Sequence, residues 1–331
     1  MDVIRFTRQL VDIDSVTGNE AAVADFLARE LAALGFGVEK MPVEGNCANI
    51  YASSRSGSTP PLVFSTHMDT VPPFFPSSED EEKIYGRGAC DAKGSLDAQV
   101  AAALRLRDQD ISAGLLFLVG EERDSLGARA ANLRAPGSRF LINGEPTENR
   151  LATASKGSLR VELAARGKMA HSAYPHLGES AIEKLIAALH RLLAMPLPSD
   201  PECGAVTLNV GLIEGGRAPN VIPDLARAHL LYRLIGPSQA LRAEILRAVG
   251  ELAQVEFGLE VPFVRLRALD GLPSMIAAFT TDIPALTHWG EPFLLGPGSI
   301  HVAHTEGECI EKKQLVAAVD LYCALARRLL D

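Results

Sequence analysis

Short, nearly unbroken apolar runs punctuate the first half of the chain, at Pro61–Ser65, Leu115–Val119 and Phe140–Ile142. A helical pattern from about Leu96 to Leu106 separates the first two. Continuous apolar strands alternating with helices predict a largely parallel sheet buried on both faces. Upstream, Thr17-Gly18-Asn19-Glu20 reads as a capping box. The helix it opens would carry Val23, Phe26, Leu27, Leu31 and Leu34 on one face, and Gly35 would stop it.

The pattern changes after about Thr153. Ser158–Ala165 alternates, and a helix with Ile182, Leu185, Ile186, Leu189 and Leu193 follows. Two strand-like runs, Ala205–Ile213 and Ala226–Leu234, precede a helix from about Ser238 to Leu252 and a last strand near Val255–Val264. This β-α-β-β-α-β series predicts a ferredoxin-like unit inserted into the first domain. The expected division is residues 155–264 for the insertion, and 1–154 with 265–331 for the host. The host would finish with a helix carrying Leu315, Val316, Val319 and Leu329. The polar stretch Pro76–Lys83 reads as a surface loop.

Composition narrows the class. A chain of 331 residues, 47% hydrophobic, is long enough for two domains. A net charge of −9 argues against nucleic acid, which needs basic clusters. The five cysteines, an odd number, form no C-x-x-C pair, so a reducing cytoplasm is expected. The start shows no signal-peptide pattern, and no apolar stretch reaches 18 residues, so no membrane span is expected.

The chemistry lies where the strands end. His67 follows the run ending at Ser65, Glu121-Glu122 the run ending at Val119, and Glu145 the run ending at Ile142. In open α/β sheets the site lies at the carboxyl ends of strands. His67 and Asp69, two apart, share a face of an extended backbone, which makes Asp69 a candidate to hold a ligating imidazole. The alternative is a strand-end histidine beside a turn-capping acid. Asp91, in Gly86-Arg87-Gly88-Ala89-Cys90-Asp91-Ala92-Lys93-Gly94, reads as a metal-bridging carboxylate or as an ordinary N-cap. The glycine spacing excludes a dinucleotide loop. Adjacent Glu121 and Glu122 are costly near a buried edge unless a cation is present. A split role resolves this, with Glu122 on the metal and Glu121 taking a proton. The competing reading is a solvated acidic turn. Glu145 is a candidate ligand or a simple turn acid, with Glu148 a weaker alternative. Near the end, His301 and His304 compete locally for one role. Two histidines with several carboxylates can hold two zinc ions.

Together the motifs resemble the co-catalytic zinc aminoacylase and carboxypeptidase family, which includes acetylornithine deacetylase, succinyl-diaminopimelate desuccinylase, carboxypeptidase G and aminoacylase-1. His67-Met68-Asp69-Thr70-Val71-Pro72, the Gly86–Gly94 loop, Gly120-Glu121-Glu122, Gly144-Glu145-Pro146-Thr147 and Ala303-His304-Thr305 with Glu308 occur in order across nearly the whole chain. The resemblance implies an α/β fold: a zinc-peptidase-like catalytic domain with a mostly parallel central sheet, plus an inserted lid and dimerisation domain. It implies that His67 and Glu145 bind one zinc ion and Glu122 and His304 the other, with Asp91 bridging and cobalt a workable substitute. Asp69 would orient His67, and Glu121 would be the general base. His304 is preferred to His301 on the family's spacing. In the insertion, His171 of His171-Ser172-Ala173-Tyr174-Pro175, Asn220 of Asn220-Val221-Ile222-Pro223, and Arg233 would hold the substrate, with His171 completing an oxyanion site across a homodimer interface. Read locally, these three have plainer roles as a helix cap, a turn and a surface residue, although Arg233 in an apolar strand suits a bound carboxylate.

The implied activity is removal of an acyl group from an N-acyl amino acid, acetylornithine or acetyl-lysine first. A desuccinylase or a dipeptidase or carboxypeptidase is the alternative. A non-catalytic peptide-binding homologue is the reading from another class, and the full set of motif ligands speaks against it. Two departures from the family pattern bear on specificity: a short Asp270–Pro284 segment, in which the helix usual before Thr281-Asp282 is expected to be missing or very short, and Gly307 where the family often has Asp.

Overall fold

The computed structural model describes residues 1–55 and 59–331. Two compact units divide the chain. The first comprises Met1–Thr153, Leu266–Met275 and Thr281–Asp331, the second Ala154–Arg265 and Ile276–Thr280.

In chain order the main strands are β1 (Gly37–Glu44), β2 (Cys47–Ser53), β3 (Leu62–His67), β4 (Ala113–Leu118), β5 (Phe140–Asn143), β6 (Gly157–Arg166), β7 (Thr207–Gly215), β8 (Leu225–Leu234), β9 (Gln254–Val261) and β10 (Glu291–Leu294). The helices are α1 (Val3–Val11), α2 (Ala21–Ala33), α3 (Gly94–Arg107), α4 (Leu126–Asn132), α5 (Ala181–Ala194), α6 (Gln239–Val249) and α7 (Lys312–Leu330).

The central sheet of the first unit runs β1-β2-β4-β3-β5-β10. Strands β4, β3, β5 and β10 are parallel, while at one edge β2 runs antiparallel to β4 and pairs with β1 in an antiparallel hairpin. The reason β3 and β4 read as unbroken apolar runs is visible in their packing. Leu62, Phe64, Leu115 and Phe117 enter the core beneath α1, α2, α3 and α7, whereas Val63, Leu116 and Leu118 enter a second core with Leu141, Leu286 and Trp289. Helix α3 is buried nearly all round, which explains its lack of a polar face.

The second unit carries an antiparallel sheet, β7-β8-β6-β9. Strands β6 and β8 alternate, sending Leu159, Val161, Leu163, Ala228, Leu230 and Tyr232 into a core with Leu185, Leu189 and Leu192 of α5 and Ile245 of α6. The side-chain hydroxyl of Ser180 caps α5 by accepting the Glu183 N–H. Strand β7 lies at an edge and is mostly exposed.

The capping-box expectation fails. Helix α2 begins after Glu20, which caps it without a side-chain bond, and the Thr17 hydroxyl donates instead to Asp69 Oδ2 at 2.8 Å. Gly35 does close the helix, with a left-handed φ of 85° that suits glycine. Asp270–Pro284 holds a short strand, Ser274–Ala277, and the start of a single turn, Ile283–Ala285, and no α-helix.

Candidate metal centre

The first unit gathers the ligand candidates at the carboxyl ends of β3, β4 and β5. His67 is the last residue of β3, and Gly120-Glu121-Glu122 and Gly144-Glu145 follow β4 and β5. Asp91 arrives from a distorted turn, Ala89–Lys93, whose φ and ψ at Asp91 are −122° and 92°. It stands two positions ahead of Lys93, the residue that caps α3, so the N-cap alternative does not hold. His304 comes from the loop before α7, with φ of 62°.

Asp91 is the point of convergence. The Nε2 of His67 lies 3.1 Å from its Oδ1, and the Nε2 of His304 lies 3.3 Å from its Oδ2. His304 Nε2 also meets Glu122 Oε1 at 2.9 Å, and His67 Nε2 is 3.8 Å from Glu145 Oε2. His67, Asp91 and Glu122 offer ligand atoms all within 4.8 Å of one another. It is His304, of the competing pair with His301, whose ring reaches the cluster. Glu148 turns away, accepting the Ser299 hydroxyl at 2.8 Å.

Asp69 holds this arrangement from behind. The Nδ1 of His67 lies 3.0 Å from the Asp69 carbonyl oxygen and 3.4 Å from its Oδ1. A proton on Nδ1 satisfies both oxygens and leaves Nε2 as the nitrogen that faces the acids and would ligate once its own proton is lost. The same carboxylate accepts the N–H of Glu121 on Oδ1 and the N–H of Glu122 on Oδ2, each at 3.2 Å. One buried side chain thus sets both the ring of His67 and the turn bearing the glutamate pair.

The electrostatics fit a cation. Burial pushes the Glu145 and Glu121 carboxyls well above the usual range, against the pull of His67, and raises Glu122 as well. Burial also opposes charge on His67, but Asp69 and Asp91 outweigh it and hold the imidazolium well above its ordinary pKa. Asp91 and Glu122 raise His304 to about 10. For Asp91 itself, burial is outweighed by the two imidazoles, and its carboxyl stays far down. Glu145 Oε1 is buried with no hydrogen-bond partner. Two imidazoles, three converging carboxylates and an orphaned carboxylate oxygen are the donor set for hard-to-borderline divalent ions.

Three contributors have roles at the site that the sequence alone does not give them: Thr17 reads as a helix cap, Glu308 only as part of a motif, and Asp282 as no part of a site. Thr17 donates to Asp69, Glu308 braces the Asp91 loop, and Asp282 is fully buried near the cluster. Burial raises Asp282 to about 7, and its charge acts in turn on Glu121 and Glu145. The spacing to His304 singles out Glu308, but no local pattern gives any of the three its role, because each acts through contacts remote in sequence.

The remaining candidates lie in the second unit. His171 and Val221 are partners in a two-residue ladder, and the Ser172 N–H donates to the Asn220 carbonyl at 3.1 Å, so His171 and Asn220 are neighbours. Both are exposed. Arg233 is half-buried near the end of β8, opposite Thr207 and Ser158.

This fold and this sequence have relatives. Residues 63–156 match the model of peptidase family M20/M25/M40, and residues 153–256 match a peptidase dimerisation domain. A protein of Aspergillus clavatus named "Probable carboxypeptidase" is 39% identical over 374 residues, spanning 99% of this chain and 83% of its own. A Schizosaccharomyces pombe protein named "Peptidase M20 domain-containing protein" is 36% identical over 340 residues, spanning 97% of this chain and 83% of its own. Among solved structures, the aminopeptidase PepT of Bacillus cereus superposes with a TM-score of 0.82 at 22% identity, covering 99% of this chain and 98% of that one, which speaks to the fold alone. The likeness in sequence runs along nearly the whole chain and includes the strand ends where the acids and imidazoles converge, and on that ground the chain belongs to peptidase family M20, as a metallopeptidase that hydrolyses amide bonds.

Proposed function

We propose that this chain cleaves the amide bond that acylates the nitrogen of an amino acid bearing a free α-carboxylate. The observation that carries this reading is the bracketing of Asp91, one imidazole on each carboxylate oxygen, with Glu122 and Glu145 flanking. His67 and Glu145 would hold one zinc ion and Glu122 and His304 the other, with Asp91 shared; cobalt suits the same donors. When bound, the cation pair supplies Lewis acidity and a nucleophile at neutral pH.

The chain's own residues do the rest. Glu121 is not tied up in the cluster, and its raised pKa suits a group that takes a proton from the attacking water and returns it to the leaving nitrogen. Asp69 keeps the His67 ring and the Glu121 turn in place. Arg233 would pair with the substrate carboxylate, His171 would donate to the developing oxyanion, and Asn220 would help hold the acyl portion. In this reading residues 1–154 with 265–331 form the catalytic domain and 155–264 the lid.

N-acetyl amino acids are the first substrate class, acetylornithine and acetyl-lysine leading. The second reading is a C-terminal peptide bond in a dipeptide or short peptide, favoured by relatives named "Probable carboxypeptidase". Both share the amide nitrogen next to a carboxylate. A homodimer through the second unit is supported by Leu212 and Ile213 on the exposed edge strand β7, at 59% and 62% exposure, and by Ile186 and Leu193 exposed on α5. Five free thiols fit a reducing, cytoplasmic setting, and among the described residues no helix is long and apolar enough to cross a membrane.

The test is a panel of N-acetyl, N-succinyl and dipeptide substrates with their carboxamides, assayed for released amine with zinc, cobalt or chelator. Turnover that needs metal and drops at least about 100-fold on amidation of the carboxylate is expected. Equal rates on acids and carboxamides, or no metal dependence, would refute the reading.

A further inference from the structure

Glu308 is a buried acid that the catalytic scheme does not use, at 1% exposure. Its Oε1 accepts three backbone N–H groups from the Asp91 loop: Gly88 at 2.9 Å, Asp91 at 3.2 Å and Cys90 at 3.3 Å. Its Oε2 accepts from Arg87 Nη1 at 2.6 Å. Arg87 is itself fixed, for its Nε donates to the Pro73 carbonyl at 3.2 Å and its guanidinium lies 4.8 Å from the Phe75 ring centroid. The Gly86 N–H also donates to the Glu308 carbonyl at 3.1 Å.

The loop leads into α3 without any side-chain cap at the start of that helix. Its N–H groups turn inward around a carboxylate supplied from 217 positions away in the chain. The side chain of Asp91 is then left to face the two imidazoles, rather than folding back to cap its own turn as free aspartates do. Gly88 makes the curl feasible, with φ of 84° and room for no Cβ, which would stand 2.7 Å from Thr70 Cγ2. Glu308 also follows His304 by four residues. One carboxylate therefore joins the loop that presents His304 to the loop that presents Asp91.

We infer that Glu308 is a positioning residue for the shared ligand: by gathering the N–H groups of Gly88, Cys90 and Asp91 it sets the Asp91 carboxylate between His67 and His304 and thereby governs metal affinity. This rests on the dinuclear reading proposed above. It adds a residue that touches neither metal nor substrate.

The discriminating variant is Glu308→Asp. It keeps the charge beside Arg87 but withdraws the oxygens by about 1.5 Å, enough to carry bonds of this length beyond the range of a hydrogen bond. Two readouts apply. In chelator-treated protein, amide exchange at residues 88, 90 and 91 should quicken at least tenfold, while the strands of the sheet keep their protection. In competition against a chromophoric chelator, zinc should dissociate 10–100-fold more readily, the range found when a ligand's support is removed. Turnover should fall at limiting zinc and recover in excess.

A neutral pair guards against a folding defect. Arg87→Gln with Glu308→Gln retains the Oε1 acceptor without a stranded charge, whereas Arg87→Leu with Glu308→Leu removes it. The first should bind zinc within about fivefold of the parent and the second at least tenfold more weakly than the first. Zinc affinity within threefold of the parent in Glu308→Asp, or equal affinities in the two double variants, would overturn the inference. Zinc uptake by the parent chain tests the dinuclear reading separately; a parent that binds no zinc would defeat both, whereas unchanged variants beside a zinc-binding parent defeat the role of Glu308 alone.

Discussion

Replacing Asp69 by asparagine probes the support of the site with a change of a single atom. Asp69 is fully buried, and its two oxygens accept from the N–H groups of Glu121 and Glu122 and from the Thr17 hydroxyl, with His67 Nδ1 alongside. Asparagine keeps one acceptor oxygen and puts an NH2 group in place of the other. One glutamate N–H then loses its partner in a buried setting, which costs about 1–3 kcal/mol, and the surviving bond loses its charge assistance, about 1 kcal/mol more. The Thr17 hydroxyl can rotate to accept from the new NH2 and adds little. The sum, about 2–4 kcal/mol, is a large share of a typical folding stability of about 5–15 kcal/mol, so the variant should fold with a clearly lowered denaturant midpoint. With the NH2 in the Oδ2 position, the ring of His67 keeps the backbone carbonyl of residue 69 and Oδ1 but loses the negative charge beside it, and zinc affinity should fall about 10–100-fold. Thr17→Val is the control: it removes one hydroxyl bond to the carboxylate, costing about 1.5–3 kcal/mol, and leaves both N–H bonds and the charge beside His67 in place. Chelator competition and urea unfolding on both variants decide the matter. Zinc affinity in Asp69→Asn equal to that of the parent, or an equal loss in Thr17→Val, would refute the assignment of Asp69 as the clamp on His67.

Glu121→Gln should retain zinc at the parent's stoichiometry and lose about 10²–10⁴ in kcat, as expected for removal of a general base; retained turnover would remove Glu121 from proton transfer. His304 is raised to about 10 and His67 is shifted in the same direction by Asp69 and Asp91, so the cluster favours the imidazolium, whereas a ligating imidazole must be neutral. Zinc uptake should therefore release protons, from the imidazoles and from the carboxyls of Glu145 and Glu122 that burial raises, and affinity should climb as pH rises and decline in acid. Titration calorimetry in buffers of different ionisation heat measures this, and no buffer dependence would contradict it. Ile213→Lys on the edge of β7 should convert a sedimenting dimer into monomers while leaving the zinc content intact; a monomeric parent would rule out the assembly.

What the sequence revealed followed from burial and spacing. Strands β3, β4 and β5 were legible because both of their faces are covered, which leaves an unbroken apolar signature ending in acids or imidazole. The alternation of β6 and β8 was legible because only one face is covered. From these runs came the edge at which His67, Glu121, Glu122 and Glu145 gather. Other parts carried no such mark. Strand β1 is largely exposed and interrupted by Pro42, and β10 has four residues, one of them Pro292. Helix α1, opened by Asp2 through bonds to the Ile4 and Arg5 N–H groups, is short and went unread. Between His301 and His304 local spacing was neutral, and the difference lies in which ring the positive-φ loop turns toward Glu122. Thr17 misled because a hydroxyl three residues before a glutamate looks like a cap, whereas it donates its hydrogen bond to a buried carboxylate 52 positions away. Contacts over such separations leave no trace in local pattern.

The pairing of β5 with β10 has a consequence for biosynthesis. Phe140–Asn143 leaves the ribosome long before Glu291–Leu294, its partner on the outer side, has been translated. At cellular elongation rates the intervening roughly 150 residues take about 7–30 s to synthesise. Throughout that interval the nascent polypeptide displays an unpaired apolar margin, the kind of surface that chaperones shield and that neighbouring chains on a polysome can capture.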